Sequence, residues 1–336
     1  MILKALVLLS LLVVNTVYSA GSSSNPTTCR AVTFSGAGDR GAWETGVIKG
    51  ILEARNNTPS DYAWQFTTGI SAGSINAAAM VMYSVGDELS ASEFLVEQWL
   101  RLTRENVYVN WPGGPLEGVF FKTGLFDTTP LFNFLDALIN PTLIANSDRG
   151  ILIGATNIDT GLFDRWNKSD PQFTLSVVAS SSVPVVFPMI TKDNGYSYCD
   201  GGATYDTPIT DTVRLCYGTG ATDVIVDVIL EGSLDPIVNV SSFHTIDVVT
   251  REARIEILNT HLKDIENVRM AFPDATLNIY TPGEKLPGYV LGFQYSKEMI
   301  AMGYKDGLDE NGSAKDYSKL DKLKEMVNKY QKNSKK

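Results

Sequence analysis

Two glycine-rich turns, each between an apolar run and a helical pattern, constrain the fold of this chain more than any other feature. The first turn, Gly-Ala-Gly-Asp-Arg-Gly at 36–41, follows the apolar run 30–35, and apolar residues then recur at helical spacing from Trp43. The second turn, Gly-Ile-Ser-Ala-Gly at 69–73, follows a strand candidate at 64–68 and precedes an alanine-rich stretch that predicts a helix to about Val85. Strands that alternate with helices in this way predict an α/β fold with a largely parallel sheet.

The rest of the chain continues this alternation. Apolar runs at 150–156 and 223–230 predict two further strands, and the pattern at 90–102 predicts a helix. Asp127-Thr-Thr-Pro130 is a helix-start signal, whereas 108–124 has no clear period and is interpreted as a loop or cap. We therefore expect one domain over residues 30–310, followed by a lysine-rich helix or tail at 311–336.

The first 20 residues predict a secretory signal peptide. One lysine precedes a short apolar run that ends in small residues, with cleavage expected after Ser19, Ala20 or Gly21. An oxidising compartment would allow one disulfide among Cys29, Cys199 and Cys216, but the sequence does not say which pair forms it. Three Asn-x-Ser sequons begin at residues 167, 239 and 311 and add to the expectation of a secreted glycoprotein, and Asn56-Asn-Thr is a weaker site.

The charge of the chain limits its partners. A formal net charge of −10 makes nucleic acid and strongly anionic membranes poor partners. Once the signal peptide is removed, we expect no transmembrane segment.

The second turn carries a candidate nucleophile, Ser71. Its Gly-x-Ser-x-Gly pattern places a serine on a sharp strand-to-helix turn. A serine needs a neighbouring base, which is usually histidine, and this chain has only two histidines, His244 and His261.

The first turn has two interpretations. As Gly-x-Gly-x-x-Gly it fits a dinucleotide site, but that site also needs an acidic residue about 20 positions on, at the end of a second strand. Glu53 lies within the predicted helix and Asp61 precedes a strand, so the dinucleotide interpretation is weak. The other interpretation is an oxyanion loop, in which backbone N–H groups at a helix N-terminus stabilise the charge that develops in acyl transfer.

A third stretch, Cys199-Asp200-Gly201-Gly202, supplies a carboxylate between an extended run and two glycines. A carboxylate within hydrogen-bond distance of Ser71 could act as the general base directly. Taken alone, the stretch is more typical of a surface turn.

In this order and spacing, the three stretches resemble the patatin-like phospholipase family over roughly residues 30–210, as do intermediate blocks at 124–131, 155–161 and 179–188. The resemblance implies a three-layer α/β/α fold, a Ser71–Asp200 dyad, and no cofactor or metal. It implies oxyanion donors at Gly36, Ala37, Gly38, Asp39, Arg40 and Gly41. The motif glycines are Gly69, Gly73, Gly201 and Gly202.

Two positions depart from the family pattern. Ala37 stands where many members have a third glycine, which restricts the backbone conformation there. Asp206 stands near the place where the family often has Asn in an Asn-x-Pro sequence, so the polar contact that supports the catalytic carboxylate is expected to differ.

The implied function is a secreted lipid acyl hydrolase of phospholipase A or lysophospholipase type, acting on lipid at a membrane or micelle surface through an acyl-enzyme. One alternative is an α/β-hydrolase esterase with a triad of Ser71, Asp200 or Asp223, and His244 or His261. Another is a secreted storage or lipid-binding protein with little turnover. The sequence leaves the lipid head group and the position attacked open.

Overall fold

The computed structural model describes residues 27–232 and 240–309. The strands are β1 (Thr28–Phe34), β2 (Phe66–Gly69), β3 (Val109–Asn110), β4 (Phe126–Asp127), β5 (Gly150–Asn157), β6 (Phe163–Trp166), β7 (Ile190–Thr191), β8 (Ser197–Cys199), β9 (Asp223–Ile229) and β10 (Thr276–Tyr280). The helices are α1 (Gly41–Ala54), α2 (Pro59–Tyr62), α3 (Ala72–Met80), α4 (Glu88–Arg101), α5 (Arg104–Val107), α6 (Gly114–Phe121), α7 (Thr129–Leu138), α8 (Pro141–Asn146), α9 (Phe173–Ser180), α10 (Ile209–Gly218), α11 (Thr245–Ala271) and α12 (Ser296–Leu308). Two 3-10 turns lie at Gly38–Arg40 and Gly201–Ala203.

The main sheet is mixed, with a parallel centre. Its strand order is β10-β9-β1-β2-β5-β8-β7, and β6 pairs with β5. The strands from β10 to β5 run parallel, whereas β6 and β8 are antiparallel to β5 and β7 is antiparallel to β8. A mainly parallel sheet confirms the fold class predicted from sequence.

Apolar cores cover both faces of this sheet. Along β1, Val32 and Phe34 face the core formed with α1, α3, α4 and α9, while Cys29 and Ala31 face the core formed with α10 and α11. Successive side chains of a strand point to opposite faces, so β1 is buried on both sides. The result is the three-layer α/β/α arrangement.

The last described helix, α12, packs directly on α1. A Cβ added at Gly46 would lie 2.2 Å from the carbonyl oxygen of Ile300, and one added at Gly303 would lie 2.0 Å from that of Trp43. Only glycine allows two backbones to approach this closely, so α1 and α12 pack with their backbones in direct contact. Helix α12 is therefore part of the layer that carries the first glycine turn.

Two predicted elements differ from the structure. The stretch 108–124, interpreted as a loop or cap, contains α6, whose apolar side chains point to solvent and so give no amphipathic period. Helix α3 ends at Met80 rather than near Val85, because the buried guanidinium of Arg149 binds the carbonyls of Tyr83 and Ser84.

Cys29 and Cys216 form a disulfide between β1 and α10, and Cys199 is a buried free thiol. Asn167 is exposed, whereas the other two Asn-x-Ser sequons begin outside the described residues. The signal peptide at 1–20 and the tail at 311–336 also lie outside them. The signal peptide, the tail and the bounds of the domain between them therefore stay predictions.

Candidate active site

The two glycine turns lie side by side at the carboxyl edge of the sheet. β1 and β2 are parallel neighbours that end in register at Phe34 and Gly69, so the residues that follow them meet. A Cβ added at Gly36 would lie 3.5 Å from the Cβ of Ser71. Crevices at this edge are where open α/β sheets bind ligands.

Ser71 occupies the strained strand-to-helix turn that its motif predicts. It has φ of 54° and ψ of −127°, a conformation that non-glycine residues rarely adopt. A Cβ at Gly69 would lie 2.2 Å from the carbonyl oxygen of Gly73, and one at Gly73 would lie 2.4 Å from that of Ser35. Both flanking positions therefore require glycine.

The backbone of Ser71 is fixed by other serines. Its N–H donates to the Oγ of Ser180 (3.0 Å), and its carbonyl accepts from the Oγ atoms of Ser181 (3.0 Å) and Ser74 (2.6 Å). These bonds hold the strained turn and leave the hydroxyl of Ser71 available for chemistry.

Asp200 follows β8 and is held beside Ser71. Its N–H donates to the carbonyl of Ser182 (2.8 Å), and its Oδ1 accepts from the N–H of Gly202 (2.8 Å). A Cβ at Gly201 would lie 2.6 Å from the Cγ2 of Ile70, the residue before Ser71. The Asp200 turn thus packs directly against the Ser71 turn.

The Asp200 carboxyl is electrostatically perturbed. Burial raises its pKa to about 7, Asp206 adds to the rise, and hydrogen bonding from Ser71 and the Gly202 N–H opposes it. Among the described residues, Oδ2 has no partner at ordinary hydrogen-bond geometry, so the Ser71 contact is a loose one. Catalytic hydrogen bonds commonly tighten only when the reacting complex forms.

Most backbone amides of the first glycine turn already have acceptors within the described part of the chain. Four of the six amides already donate within the protein: Gly36 to Asp206, Asp39 to Val290, Arg40 to Ala37, and Gly41 to Gly38 and Asp39. Within the described part of the chain, the N–H groups of Ala37 and Gly38 have no acceptor. Ala37 and Gly38 are therefore the candidate oxyanion donors whose N–H groups are not already bonded in the described part of the chain.

A segment near the end of the described chain holds this turn in place. Gly38 has φ of +57°, and a Cβ there would lie 2.3 Å from the carbonyl oxygen of Val290. Asp39 Oδ2 accepts from the N–H groups of Gly292 (3.2 Å) and Phe293 (3.0 Å). Burial raises the pKa of Asp39 to about 6, against the lowering effect of the Phe293 amide.

A sequence model described as Patatin-like phospholipase matches residues 32–213, which is more than half of the chain and includes all three stretches. The chain belongs to the patatin-like phospholipase family. Among solved structures, the crystal structure of VipD from Legionella pneumophila matches with a TM-score of 0.40 and 13% identity, covering 85% of this chain and 67% of that chain. No curated protein sequence gives a significant match.

Membership in the patatin-like phospholipase family supports lipid acyl hydrolase activity in general.

Within the described residues, no helix is long and apolar enough to cross a membrane, and no group of three or more potential metal ligands occurs.

In the described part of the chain, neither histidine forms a hydrogen bond with Ser71. His244 is exposed at the start of α11, and its N–H donates to Asp247. His261 is buried, with Nε2 at 2.9 Å from both Asp206 Oδ2 and Thr207 Oγ1. Asp223, the other triad candidate, begins β9 at the opposite edge of the sheet and accepts from the Thr28 hydroxyl. The triad alternative therefore gains no support from the geometry.

Sequence reasoning missed one buried carboxyl behind the first glycine turn. Glu44 of α1 accepts from Ser35 Oγ (3.0 Å) and Asn76 Nδ2 (2.9 Å), and burial raises its pKa well above the usual range. A single Glu in the first turn of a helix carries no signal of this role, since Asp and Glu are common there.

Proposed function

We propose that this chain is a secreted lipid acyl hydrolase in which Ser71 attacks the ester and Asp200 is its base. The observation that carries the proposal is that three groups lie in neighbouring turns at the carboxyl edge of the sheet. These are a serine in a strained turn, a buried carboxyl with a pKa of about 7, and the two unused amides of Ala37 and Gly38.

The chemistry has two halves. As Ser71 Oγ attacks the ester carbonyl carbon, Asp200 accepts its proton, and the carbonyl electron pair moves to the oxygen near the amides of Ala37 and Gly38. Collapse of this intermediate expels the alcohol, which takes the proton from Asp200 and leaves an acyl-enzyme. Water then attacks the acyl group with Asp200 again as base, releasing the fatty acid and restoring Ser71.

The pKa of Asp200 suits this role. A carboxylate with the reference pKa near 4 is a weak base for a serine hydroxyl. A pKa of about 7 brings Asp200 close to neutral pH, where the product of base strength and ionised fraction is greatest. Burial therefore supplies much of the basicity that histidine supplies in other serine hydrolases.

An exposed apolar surface on α6 fits lipid. The apolar ridge, which we define as Leu116, Val119, Phe120 and Phe121 of α6, is 57–82% exposed. A cluster of this kind is typical of a binding surface.

A short series of hydrogen bonds and chain segments links the apolar ridge to Ser71. Leu125, just after α6, donates its N–H to the carbonyl of Val185, which is 73% exposed and lies four residues after Ser181. Ser181 in turn bonds the carbonyl of Ser71. The charges beside the ridge, Glu117 and Lys122, pair at 3.4 Å, so we propose an uncharged or zwitterionic lipid surface as the occupant.

Vesicle flotation tests the apolar ridge. Ser71→Ala protein should float with phosphatidylcholine vesicles, and adding Phe120→Ser and Phe121→Ser should abolish flotation, whereas Met270→Ser, an exposed apolar control on α11, should not. When Ser71 is kept, the substitutions Phe120→Ser and Phe121→Ser should leave hydrolysis of soluble p-nitrophenyl butyrate unchanged. Unchanged flotation, or self-association through the ridge in sedimentation, would exclude the membrane role.

Secretion is part of the proposal. The disulfide between Cys29 and Cys216 is typical of oxidising compartments, and Asn167 is exposed as a glycosylation acceptor must be. Intact-mass measurement of deglycosylated protein should find a chain that begins within two residues of Ala20. Recovery of the Met1 chain in the cytosol would contradict secretion.

Labelling with a fluorophosphonate tests the catalytic role and separates it from storage or lipid binding. The native chain should be labelled at Ser71, Ser71→Ala should not be labelled, and the control Ser90→Ala should be labelled normally. A native, folded chain that resists the probe would favour the binding-protein alternative. Acyl release from a panel of phospholipids, lysophospholipids, galactolipids and neutral esters would then identify the substrate.

A further inference from the structure

A buried acid–histidine pair lies next to the candidate dyad without being part of it. Asp206 and His261 are each 2% exposed, and His261 Nε2 lies 2.9 Å from Asp206 Oδ2. With a carboxylate as its neighbour, Nε2 carries the proton and donates it. His261 comes from α11, beyond the residues that match the family, and Asp206 stands where the family often has Asn.

Asp206 touches both loops that flank Ser71. Its carbonyl accepts from the N–H of Gly36 (3.0 Å), at the start of the first glycine turn. A Cβ added at Gly36 would lie 2.3 Å from Asp206 Oδ1, and one added at Gly202 would lie 2.7 Å from the same atom. A shift of this carboxylate would therefore move the oxyanion loop and the Asp200 turn together.

The charges around Asp206 come from several elements and are mainly negative. The acidic groups are Asp200 after β8, Glu44 on α1, Glu231 after β9 and Asp264 on α11. Arg40 is paired with Glu231 at 2.6 Å, and Asp264 accepts from Tyr205 and Thr210. In the described part of the chain, His261 is the side chain that bonds the Asp206 carboxylate.

We propose that the Asp206–His261 pair is a positioning device that holds the Asp200 turn against the oxyanion loop and, together with burial, contributes to the pH range in which Asp200 acts. The proposal rests on the function assigned above to Asp200. Burial is the main cause of the raised pKa of Asp200, and the negative charge of the neighbouring Asp206 raises that pKa further. The hydrogen bond from His261 partly offsets the charge of the Asp206 carboxylate and holds that carboxylate in position.

The pH profile of kcat/KM for p-nitrophenyl butyrate tests the pair. Asp206→Asn keeps the shape and an acceptor for His261 but removes the charge, so the acidic limb of the profile should move to lower pH by roughly half a unit or more. Asp211→Asn is the matched control, because this carboxylate of α10 pairs with Arg165 of β6 and its loss should leave the limb in place.

Variants of His261 test the positioning role. His261→Gln keeps a donor and should retain more of the native kcat than His261→Leu, which leaves the Asp206 carboxylate without its donor. If Asp206→Asn does not fold, the neutral pair Asp206→Asn with His261→Gln should show the same shift of the limb.

The results separate this proposal from the proposed function. An unmoved limb in folded Asp206→Asn or in the double variant, or equal kcat in the two His261 variants, would overturn the role of the pair. Full activity in Ser71→Ala or Asp200→Asn would instead overturn the function on which it rests.

Discussion

The two sides of Ser71 are built in different ways. On one side, the oxyanion loop is fixed by directed hydrogen bonds: the Val290 carbonyl accepts from the Asp39 N–H, and the Asp39 carboxylate accepts from the amides of Gly292 and Phe293. On the other side, the Asp200 turn lies beside the buried Asp206–His261 pair, which also contacts the start of the oxyanion loop at Gly36. In the proposed mechanism, the loop therefore depends on hydrogen-bond geometry, whereas Asp200 depends on burial and on the charge of Asp206. Substitutions should therefore affect the two sides through different measurements.

The largest effect is expected at the dyad itself. Ser71→Ala and Asp200→Asn should each lower kcat by roughly 10,000-fold, as for members of other serine catalytic units. The double variant should be scarcely worse than either single one, because the two groups act as a unit. Additive losses in steady-state kinetics would show that they act independently.

The next largest effect is expected in the oxyanion loop. Gly38→Ala places a Cβ against the Val290 carbonyl at a positive φ, so it should displace the Gly38 N–H and lower kcat by about 100-fold or more. Gly220→Ala is the control, since that glycine also has a positive φ (+84°) but a Cβ there meets nothing within 4 Å. Equal kcat in the two folded variants would remove Gly38 from the site.

A smaller loss is expected when the support of the loop is removed. Asp39→Ala removes the carboxylate that accepts from Gly292 and Phe293, so the loop is held less firmly. The N–H groups of Ala37 and Gly38 remain, so kcat should fall by only about tenfold. Asp39→Asn keeps an acceptor oxygen and should lie closer to the native rate. If Asp39→Asn is as impaired as Asp39→Ala, the charge of Asp39 matters more than its hydrogen bonds.

The smallest effects are expected at the histidines. His244→Ala should leave the rate unchanged, and His261→Ala should retain activity within about tenfold, because neither ring contacts Ser71 in the described structure. Steady-state kinetics with circular dichroism as a folding control checks this. A folded histidine variant as inactive as Ser71→Ala would indicate a triad.

The sequence predicted what local chemistry determines. The turns at 36–41 and 69–73 and the strands that precede them were predictable, because glycines and apolar runs report short-range geometry. The α6 helix was not, since its apolar side chains face solvent and its pattern has no buried face.

Long-range support was also hidden from the sequence. The partners of Asp39 lie 253 and 254 residues away, and His261 lies 55 residues from Asp206. No spacing rule links such residues, so only the fold shows which amides of the oxyanion loop are already used. The disulfide partner of Cys29 is hidden for the same reason.

The central claim is that Asp200, with its raised pKa, activates Ser71 without histidine. The most direct test is the pH dependence of fluorophosphonate labelling at Ser71. We predict a rate that rises with pH through a single ionisation near 7, because the ionised carboxylate is the base and its pKa is raised to about 7. The ionisation should persist in His244→Ala and vanish, with most of the rate, in Asp200→Asn. An ionisation near 7 that survives in Asp200→Asn, or that disappears in His244→Ala, would contradict the account.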